Sequence, residues 1–365
     1  MTRILALCGP GEIRVVAEHG GALLDYAIWR PGRPDGVGDL HRGRIEARIP
    51  QMAGAFVAIA GATGFLPDSE GGGAATEGDP IGVRITRAAQ AGKGPRLTAR
   101  LSPSDSAQIG AGPPALLRRA PSVVERLAAL HPQAPILADD PALVAALRPA
   151  LGDRITHART LADDPLHAQL DALAEPFALL PGGLRASFHP TPALVAIDLD
   201  TAAATSGRQP KPAALLALNR AALPALAHQL RLRNLSGAIL IDLAGLSPKR
   251  RLALAPDLLA ALAPDPLTPR LLGFTQMGFA EIVRSRIHPP LHELLAGLHA
   301  AALAALRQLE REGPARLVAA PDIAAALDAD PLARADLARR TGRPLILRTN
   351  PALPPGAWTL EPPRA

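Results

Sequence analysis

The sequence contains very little cysteine and very few aromatic residues. Cys8 is the only cysteine among 365 residues, which excludes an intrachain disulfide and a metal site built from paired cysteines. Because such chains are typical of a reducing compartment, we expect a soluble, cytoplasmic protein. No apolar run approaches the roughly 20 residues of a membrane helix, so we expect no membrane span. Aromatic residues make up only 2% of the chain, which makes the positions of its six phenylalanines informative.

The charge balance is basic, whereas the remaining composition is that of a folded protein. Lysine and arginine number 39 against 33 acidic residues, which gives a net charge of +6 and a pI near 10.5. This balance suits a polyanionic partner, although basic proteins that bind no nucleic acid are also common. Hydrophobic residues account for 48% of the chain, and its length allows two or three domains with their own cores.

Two short apolar runs end in carboxylates. Residues 194–197 lead into Asp198 and Asp200, and residues 239–241 lead into Asp242. Apolar runs of this length are typical of buried strands, which would place the acids at the rim of a sheet. Mg²⁺ is commonly bound by one or two carboxylates together with water and substrate phosphate, so these acids are a candidate metal site. The alternative is that they are solvated acids at strand ends, since acidic clusters mark function only statistically.

The residues around these acids resemble a known protein family. The resemblance extends with gaps over most of the chain, and its most specific part is Gln-Leu-Arg-Leu-Arg at residues 229–233. The family is ribonuclease E/G, whose members are single-strand-specific, Mg²⁺-dependent endoribonucleases. The other matching segments, in the order and spacing of the family, are residues 194–201, Asn219, residues 234–237 and residues 239–243.

The resemblance implies that Asp198 and Asp242 bind Mg²⁺, or Mn²⁺, and that Asp200 is a third catalytic residue. In the family the metal activates water for in-line attack on a phosphodiester, which leaves 5′-phosphate and 3′-hydroxyl products. Asp200 stands where the family usually has asparagine, and a carboxylate there can bind metal but repels phosphate. We therefore expect an endoribonuclease that cleaves single-stranded RNA during RNA processing or decay.

Further departures from the family pattern keep two other interpretations open. A carboxylate or an arginine of the family is replaced at four positions: Pro192, Ala221, Gly245 and Gln276. The main alternative is therefore a non-catalytic RNA-binding protein that retains the fold while its catalytic site has decayed. A third interpretation is a purely structural module associated with the ribosome or the degradosome.

Residues 38–102 show the pattern of a small β-barrel. About five short strands with a glycine-rich loop fit an oligonucleotide-binding (OB) barrel, and the segment resembles the S1 RNA-binding domain of the family. Phe56 and Phe65 occupy the positions of the S1 stacking pair, where aromatic rings hold unpaired bases beside a basic groove. The alternative is that both rings are barrel core. The cations that would line the groove are Arg42, Arg44, Lys93 and Arg96.

The resemblance implies a multidomain fold of the α/β class with mixed α+β character. An S1/OB-type barrel would be inserted in a ribonuclease-H-like subdomain, and a deoxyribonuclease-I-like catalytic subdomain would follow. The predicted boundaries are 1–37 for the N-terminal strands of the ribonuclease-H-like subdomain, 38–102 for the barrel, 103–174 for a linker and the rest of that subdomain, 175–298 for the catalytic subdomain and 299–365 for a tail of helices and strands.

Residues 102–130 separate this chain from the longer family members. Those members place a sensor for the RNA 5′-phosphate after the barrel, whereas residues 102–114 are typical of a Pro/Gly/Ser linker. The sequence predicts a helix over residues 115–130, which would carry Arg118 and Arg119. Since no sensor motif occurs in this interval, we expect cleavage that does not depend on a 5′-monophosphate.

Two arginines of the specific motif, Arg231 and Arg233, precede the second acid and are candidate RNA contacts, although single surface charges are more often merely solvated. The cysteine pair that links protomers of the family through zinc has no counterpart here. The sequence therefore predicts single-stranded RNA as the partner and no bound zinc. An oligomer is compatible with the sequence, but a zinc-linked one is not.

Overall fold

Two separate structural units make up the chain in the computed structural model, which describes residues 1–90, 92–159, 161, 163–201, 212–313 and 315–362. The larger unit comprises Met1–Pro34, Val123–Ser285 and Pro290–Ala365. The smaller unit comprises Asp35–Ser122 and Arg286–Pro289. In the described part of the chain, no helix is long and apolar enough to cross a membrane.

The chain begins with an antiparallel meander in the larger unit. Its strands are β1 (Thr2–Gly9), β2 (Glu12–His19) and β3 (Ala22–Trp29). Gly20 and Gly21 join β2 to β3 and both have positive φ, the backbone conformation that a two-residue hairpin turn requires. These strands are the first part of a sheet that is completed after the chain returns from the smaller unit.

The smaller unit is a five-stranded barrel with one additional strand. Its elements are β4 (Leu40–Ile49), β5 (Gly54–Ile59), β6 (Ala62–Pro67), β7 (Pro80–Arg87), β8 (Arg96–Thr98), α1 (Pro103–Ser106) and β9 (Ala115–Arg118). The barrel closes in the order β4-β5-β6-β8-β7 because β4 pairs with both β5 and β7. Aliphatic side chains such as Val57, Leu66 and Leu97 fill its interior. This closed barrel fits the predicted S1/OB-type domain.

The predicted helix over residues 115–130 is wrong in its first half. Ala115–Arg118 is strand β9, which pairs with β4, and helix α2 begins only at Val123. The apolar run at residues 115–117 suits a strand as well as a helix, and the free edge of β4 decides for the strand. The compact smaller unit therefore continues to Ser122, beyond residue 102.

The chain then completes the sheet begun by the N-terminal meander. The elements are α2 (Val123–Leu130), β10 (Ile136–Ala138), α3 (Pro141–Leu151), β11 (Ile155–His157) and α4 (Asp164–Ala172). β10 runs parallel to β1, and β11 runs parallel to β10, which gives the order β11-β10-β1-β2-β3. In chain order, the barrel unit is thus an insertion between β3 and α2.

A second sheet of six strands, called here the mixed sheet, follows. Its region contains β12 (Phe177–Leu180), β13 (Leu184–Pro190), β14 (Val195–Thr201), α5 (Pro212–Leu232), β15 (Gly237–Asp242), α6 (Pro248–Leu252), α7 (Ala255–Leu262), β16 (Arg270–Phe274) and β17 (Ala280–Arg284). The strand order is β12-β13-β14-β15-β17-β16, and only β14 and β15 are parallel. Such a pair needs a crossover connection, which α5 provides.

One face of the mixed sheet packs on helices, and the other is partly exposed. Ile197, Ile239 and Ile282 on the packed face join Leu226 of α5 and Leu258 of α7 in one hydrophobic core. The alternate residues of the same strands point away from this core. We call the second face the open face.

The last region forms a small α/β layer. Its elements are α8 (Leu291–Leu295), α9 (Gly297–Glu312), β18 (Arg316–Ala319), α10 (Pro321–Asp328), α11 (Pro331–Thr341), β19 (Leu347–Thr349) and β20 (Trp358–Glu361). The three strands form a sheet in the order β19-β18-β20. Leu303, Leu306 and Leu317 lie in its core.

The predicted mixture of α/β and α+β structure is confirmed.

Candidate active site on the mixed sheet

The three predicted catalytic acids lie together on the open face. β14 buries Ile197 and Leu199 and exposes Asp198 and Asp200. Asp198 and Asp242 are register partners across the parallel pair of β14 and β15. Because register partners of adjacent strands point to the same side of a sheet, the two carboxylates are neighbours.

The charges of these acids act on one another. Partial burial raises the pKa of the Asp198 carboxyl, and the negative charges of Asp242 and Asp200 raise it further, while His189 lowers it. Like charges held this close favour whatever neutralises them, either a proton or a cation. The open face therefore carries a local negative potential in a protein of positive net charge.

Arg251 places a fixed positive charge beside Asp242. Its Nη1 lies 2.5 Å from Asp242 Oδ1, and the arginine side chain is only 13% exposed. The guanidinium is anchored by donating from Nε to the Leu246 carbonyl at 2.7 Å and from Nη1 to the Gly278 carbonyl at 3.2 Å. The sequence shows Arg251 only as one of three consecutive basic residues, so its special position becomes visible only in the fold.

The oxygen donors present fit a hard divalent cation. Asp242 Oδ1 is buried and, among the described residues, accepts no hydrogen bond of normal geometry. Together with Asp198 it supplies two acceptor-only carboxylates, which suit Mg²⁺ or Mn²⁺ when water and phosphate complete the coordination. In the part of the chain that the structure describes, no three His, Cys, Asp or Glu side chains are grouped so that they could hold a metal by themselves.

Asn219 holds the loop that follows Asp242. Its side chain is fully buried in α5, and Nδ2 donates to the carbonyls of Leu215 and Ala244 at 2.8 and 2.9 Å. Its Oδ1 accepts from the Ala244 backbone N–H at 3.0 Å. The family-matching asparagine is therefore fully occupied in holding the loop that follows the second acidic strand end.

The structure corrects the prediction that Arg233 contacts RNA. Arg233 is buried, stacks on Phe188 and donates to the side chain of Gln229. Burial lowers the pKa of Arg233 to about 10. Its remaining donors go to four backbone carbonyls, those of Ala172, Leu173, Glu175 and Phe177. Arg233 thus joins α5 to the segment that leads into β12.

Arg231 is engaged in a similar way. Its Nε lies 3.1 Å from the Asp25 carboxylate, and Nη2 donates to the Leu24 carbonyl. Both partners belong to β3, so Arg231 connects α5 to the N-terminal sheet. Its side chain is still 21% exposed, so the RNA contact expected of Arg231 stays a prediction.

In the barrel unit, the two phenylalanines lie outside the core. Phe56 is 37% exposed, and its ring centroid is 5.7 Å from that of Phe65 in an edge-to-face arrangement. Neither ring belongs to the cluster of aliphatic side chains inside the barrel. Both rings thus lie outside the aliphatic core, which favours the stacking interpretation of the pair over the core interpretation.

Positive charge accompanies the aromatic pair. Arg96 is exposed and is the register partner of Phe65 across β6 and β8. Burial lowers the pKa of Arg87, and the like charges of Arg96 and Arg286 lower it further, so three guanidiniums are close together. Lys93 is also exposed.

The two predicted cations on β4 have structural partners. Arg42 donates to the carbonyls of Pro113 and Ile109 at 2.7 and 3.0 Å. Arg44 donates to the Gly78 carbonyl at 2.7 Å. Arg42 thus holds the segment between α1 and β9 against the barrel.

The fold and the site define a multidomain α/β protein with paired carboxylates on one sheet and a separate closed barrel. Residues 142–287, which include the mixed sheet, match the model of the ribonuclease E/G family. This match confirms, over these residues, the resemblance to the family that the sequence predicts. The barrel strands lie outside the matched residues.

Similar characterised proteins come from several bacteria. Ribonuclease G of Haemophilus influenzae is 34% identical over 106 residues, which cover 29% of this chain and 21% of that protein. Ribonuclease E of Nostoc is 29% identical over 130 residues, covering 35% and 19%. Ribonuclease E of Escherichia coli is 32% identical over 129 residues, covering 35% and 12%. The matching part of the chain thus spans about a fifth or less of each relative.

Proposed function

We propose that this protein is an endoribonuclease that cleaves single-stranded RNA with the help of Mg²⁺, in RNA processing or decay. The observation that carries the proposal is the register of Asp198 with Asp242 on the open face, inside the segment that matches the family. The names of the similar proteins, ribonucleases E and G, support the same reaction class.

The side chains would divide the work as follows. Asp198 and Asp242 hold the cation, which when bound supplies Lewis-acid activation of water and stabilises the leaving oxygen. Asp200 lies two residues after Asp198, on the same face of β14, and adds negative charge to the metal site. In-line attack on phosphorus with loss of the 3′ oxygen yields 5′-phosphate and 3′-hydroxyl ends. Arg251 fixes the position and charge of Asp242.

The barrel would supply substrate affinity. Phe56 offers exposed ring surface for unpaired bases, with the half-buried Phe65 beside it, and Arg96 and Lys93 provide charge for the phosphates. We assign the barrel to the S1 type, the larger unit around β1 to a ribonuclease-H-like subdomain and the mixed sheet to a deoxyribonuclease-I-like catalytic subdomain. No zinc is required by this assignment.

A non-catalytic RNA-binding protein is the second candidate. Asp200 in place of asparagine, Gly245 in place of an acid and the ion pair between Arg251 and Asp242 favour it, since each weakens a metal and phosphate site. In this case the barrel would still bind RNA while the mixed sheet carried no chemistry.

Cleavage of a 5′-labelled single-stranded RNA oligomer, with Mg²⁺ and with EDTA, separates the two candidates. Asp198→Asn and Asp242→Asn should lower the rate at least about 10³-fold, roughly 4 kcal/mol of barrier, while RNA binding and melting temperature change little. Asp257→Asn is the matched control because its carboxylate, on α7, pairs with Arg220 of α5. Wild-type rates in both acid variants would overturn the site, and Mg²⁺-independent RNA binding without cleavage would favour the second candidate.

A further inference from the structure

The register of the mixed sheet aligns one side chain from each of four strands on the open face. Phe177 of β12 pairs with Ser187 of β13, Ser187 pairs with Asp198, and Asp198 pairs with Asp242. The neighbouring row of the same face contains Arg185, the register partner of Asp200. An aromatic ring and an arginine are therefore in line with the candidate catalytic acids.

Arg185 and Phe177 form a stacked pair. The guanidinium carbon of Arg185 lies 4.2 Å from the centroid of the Phe177 ring. Arg185 is exposed, and within the described part of the chain its guanidinium forms no ion pair. One side of the guanidinium therefore rests on the ring, while solvent can reach the other.

A second stacked pair of the same sheet shows what a structural pair looks like. Arg233 and Phe188 have nearly the same separation, 4.4 Å, but both are buried. The donors of Arg233 are occupied by protein oxygens, as described above. Arg185 resembles Arg233 only in stacking on a phenylalanine ring. Among the described residues, the N–H groups of its guanidinium are not taken up by a buried set of protein oxygens, so a structural role like that of Arg233 does not account for it.

The distance to the acids is compatible with the same RNA strand. Adjacent strands are about 4.8 Å apart, so Phe177 lies about 10 Å from Asp198, two strand spacings away. With a rise of about 3.4 Å per stacked nucleotide, this corresponds to at most about three nucleotides. A base close to the cleaved phosphate could therefore reach Arg185.

We propose that Arg185, supported by Phe177, is a stacking platform for one unpaired nucleobase of the RNA near the cleaved bond. Guanidinium planes stack on bases, are weakly hydrated and attract the polyanionic strand. Ring support restricts the guanidinium before the base arrives and so reduces the entropy lost on binding. Such a platform tolerates any base, because every base has a π-face. The proposal deepens the proposed endoribonuclease function and rests on it.

The test uses RNA oligomers that each carry one 2-aminopurine, whose fluorescence falls when it stacks, at successive positions around the mapped cleavage site. In EDTA, wild-type protein should quench one position within about three nucleotides of that site. Arg185→Gln should abolish this quenching and raise KM about tenfold, with a smaller change in kcat, because one stacking contact is lost. Arg220→Gln, an exposed arginine of the helix-covered side, should change neither.

An abasic substitution sharpens the result. An RNA that lacks the base at the quenched position should bind wild-type protein about tenfold more weakly, and Arg185→Gln should cause no further loss with this RNA. Phe177→Leu should reproduce part of the effect, and a melting curve identifies loss of folding in that variant. Unchanged quenching and KM in Arg185→Gln would overturn the platform. If no RNA is cleaved, the endoribonuclease proposal fails. The platform is then decided by whether any 2-aminopurine position is quenched in EDTA by wild-type protein and not by Arg185→Gln.

Discussion

The barrel and the mixed sheet use aromatic and charged residues in opposite ways. The barrel encloses aliphatic side chains and presents Phe56 and Phe65 at its surface beside arginines. The mixed sheet buries Phe188 together with Arg233 and presents acids on its open face. An exposed aromatic pair with cations suits binding of a nucleic acid strand, whereas grouped carboxylates suit a cation and chemistry. The contrast predicts that substitutions in the two regions affect different measurable properties.

The largest expected effect is structural and concerns Arg233. Arg233→Met should lower the free energy of unfolding of the larger unit by about 3 to 5 kcal/mol, because buried carbonyls lose their donors. Chemical denaturation monitored by circular dichroism measures this change. The salt dependence of RNA binding should stay as in wild type, and a reduced salt slope would instead restore Arg233 as a phosphate contact.

The next effect concerns the aromatic pair of the barrel. Phe56→Ala combined with Phe65→Ala should weaken binding of single-stranded RNA by about 1 to 3 kcal/mol for each lost stack. Phe188→Ala is the control with opposite behaviour, since a buried phenylalanine costs about 3 to 5 kcal/mol of stability. Fluorescence anisotropy and thermal melting are measured for both proteins. A large loss of stability with unchanged RNA affinity in the double variant would return the pair to the core.

A smaller effect is expected from Arg251, the arginine that pairs with Asp242. Arg251→Met should raise the affinity for Mn²⁺ about tenfold, because the guanidinium competes with the cation for Asp242 and the attraction of opposite charges at such distances is of this order. Isothermal titration with Mn²⁺ measures the affinity without RNA. Arg250→Met, one residue earlier on α6, is the matched control. Weaker Mn²⁺ binding in Arg251→Met would show that the arginine mainly orients Asp242.

A pH effect of comparable or smaller size is expected in the barrel. His41 is buried beside Asp39 and Arg119, and both of its ring nitrogens lack hydrogen-bond partners among the described residues. Burial lowers the pKa of His41 below its ordinary value of 6.5, partly offset by the charge of Asp39. The unfolded chain therefore takes up the proton first, so barrel stability should fall as the pH decreases below about 6.5.

Thermal melting between pH 7.5 and 5 measures this dependence, and His41→Gln should flatten it. His299→Gln is the corresponding variant in the larger unit, because burial also lowers the pKa of His299. The pH dependence of melting is compared between the two variants. An unchanged pH slope in His41→Gln would show that His41 is not responsible.

No effect is expected from the 5′ end of the RNA. Arg118 and Arg119 pair with Asp105 and Asp39, at 2.5 and 2.7 Å, so both guanidiniums already have carboxylate partners. Oligomers with a 5′-monophosphate and a 5′-hydroxyl should therefore be cleaved at equal rates. A rate many-fold higher on the monophosphate would reveal a sensor elsewhere in the chain.

Local pattern was sufficient to predict the acids and the barrel. Short apolar runs end in Asp198 and Asp242, and a buried strand that ends in a carboxylate is expected to place that acid at the rim of a sheet. Short strands separated by glycine-rich turns likewise predict the barrel. Residues 115–118 show the limit, because the three-residue apolar run that they contain is compatible with helix or strand until the neighbouring edge of β4 is known.

The tertiary structure alone decided which arginines are buried as structural links and which face solvent. The sequence does not show which of Arg185, Arg233 and Arg251 is buried and which is exposed. Their positions in the fold differ because a buried guanidinium needs oxygen partners, and those partners come from chain segments as far as 61 residues away. Sequence therefore determined where the acids are, whereas long-range packing determined which cations surround them.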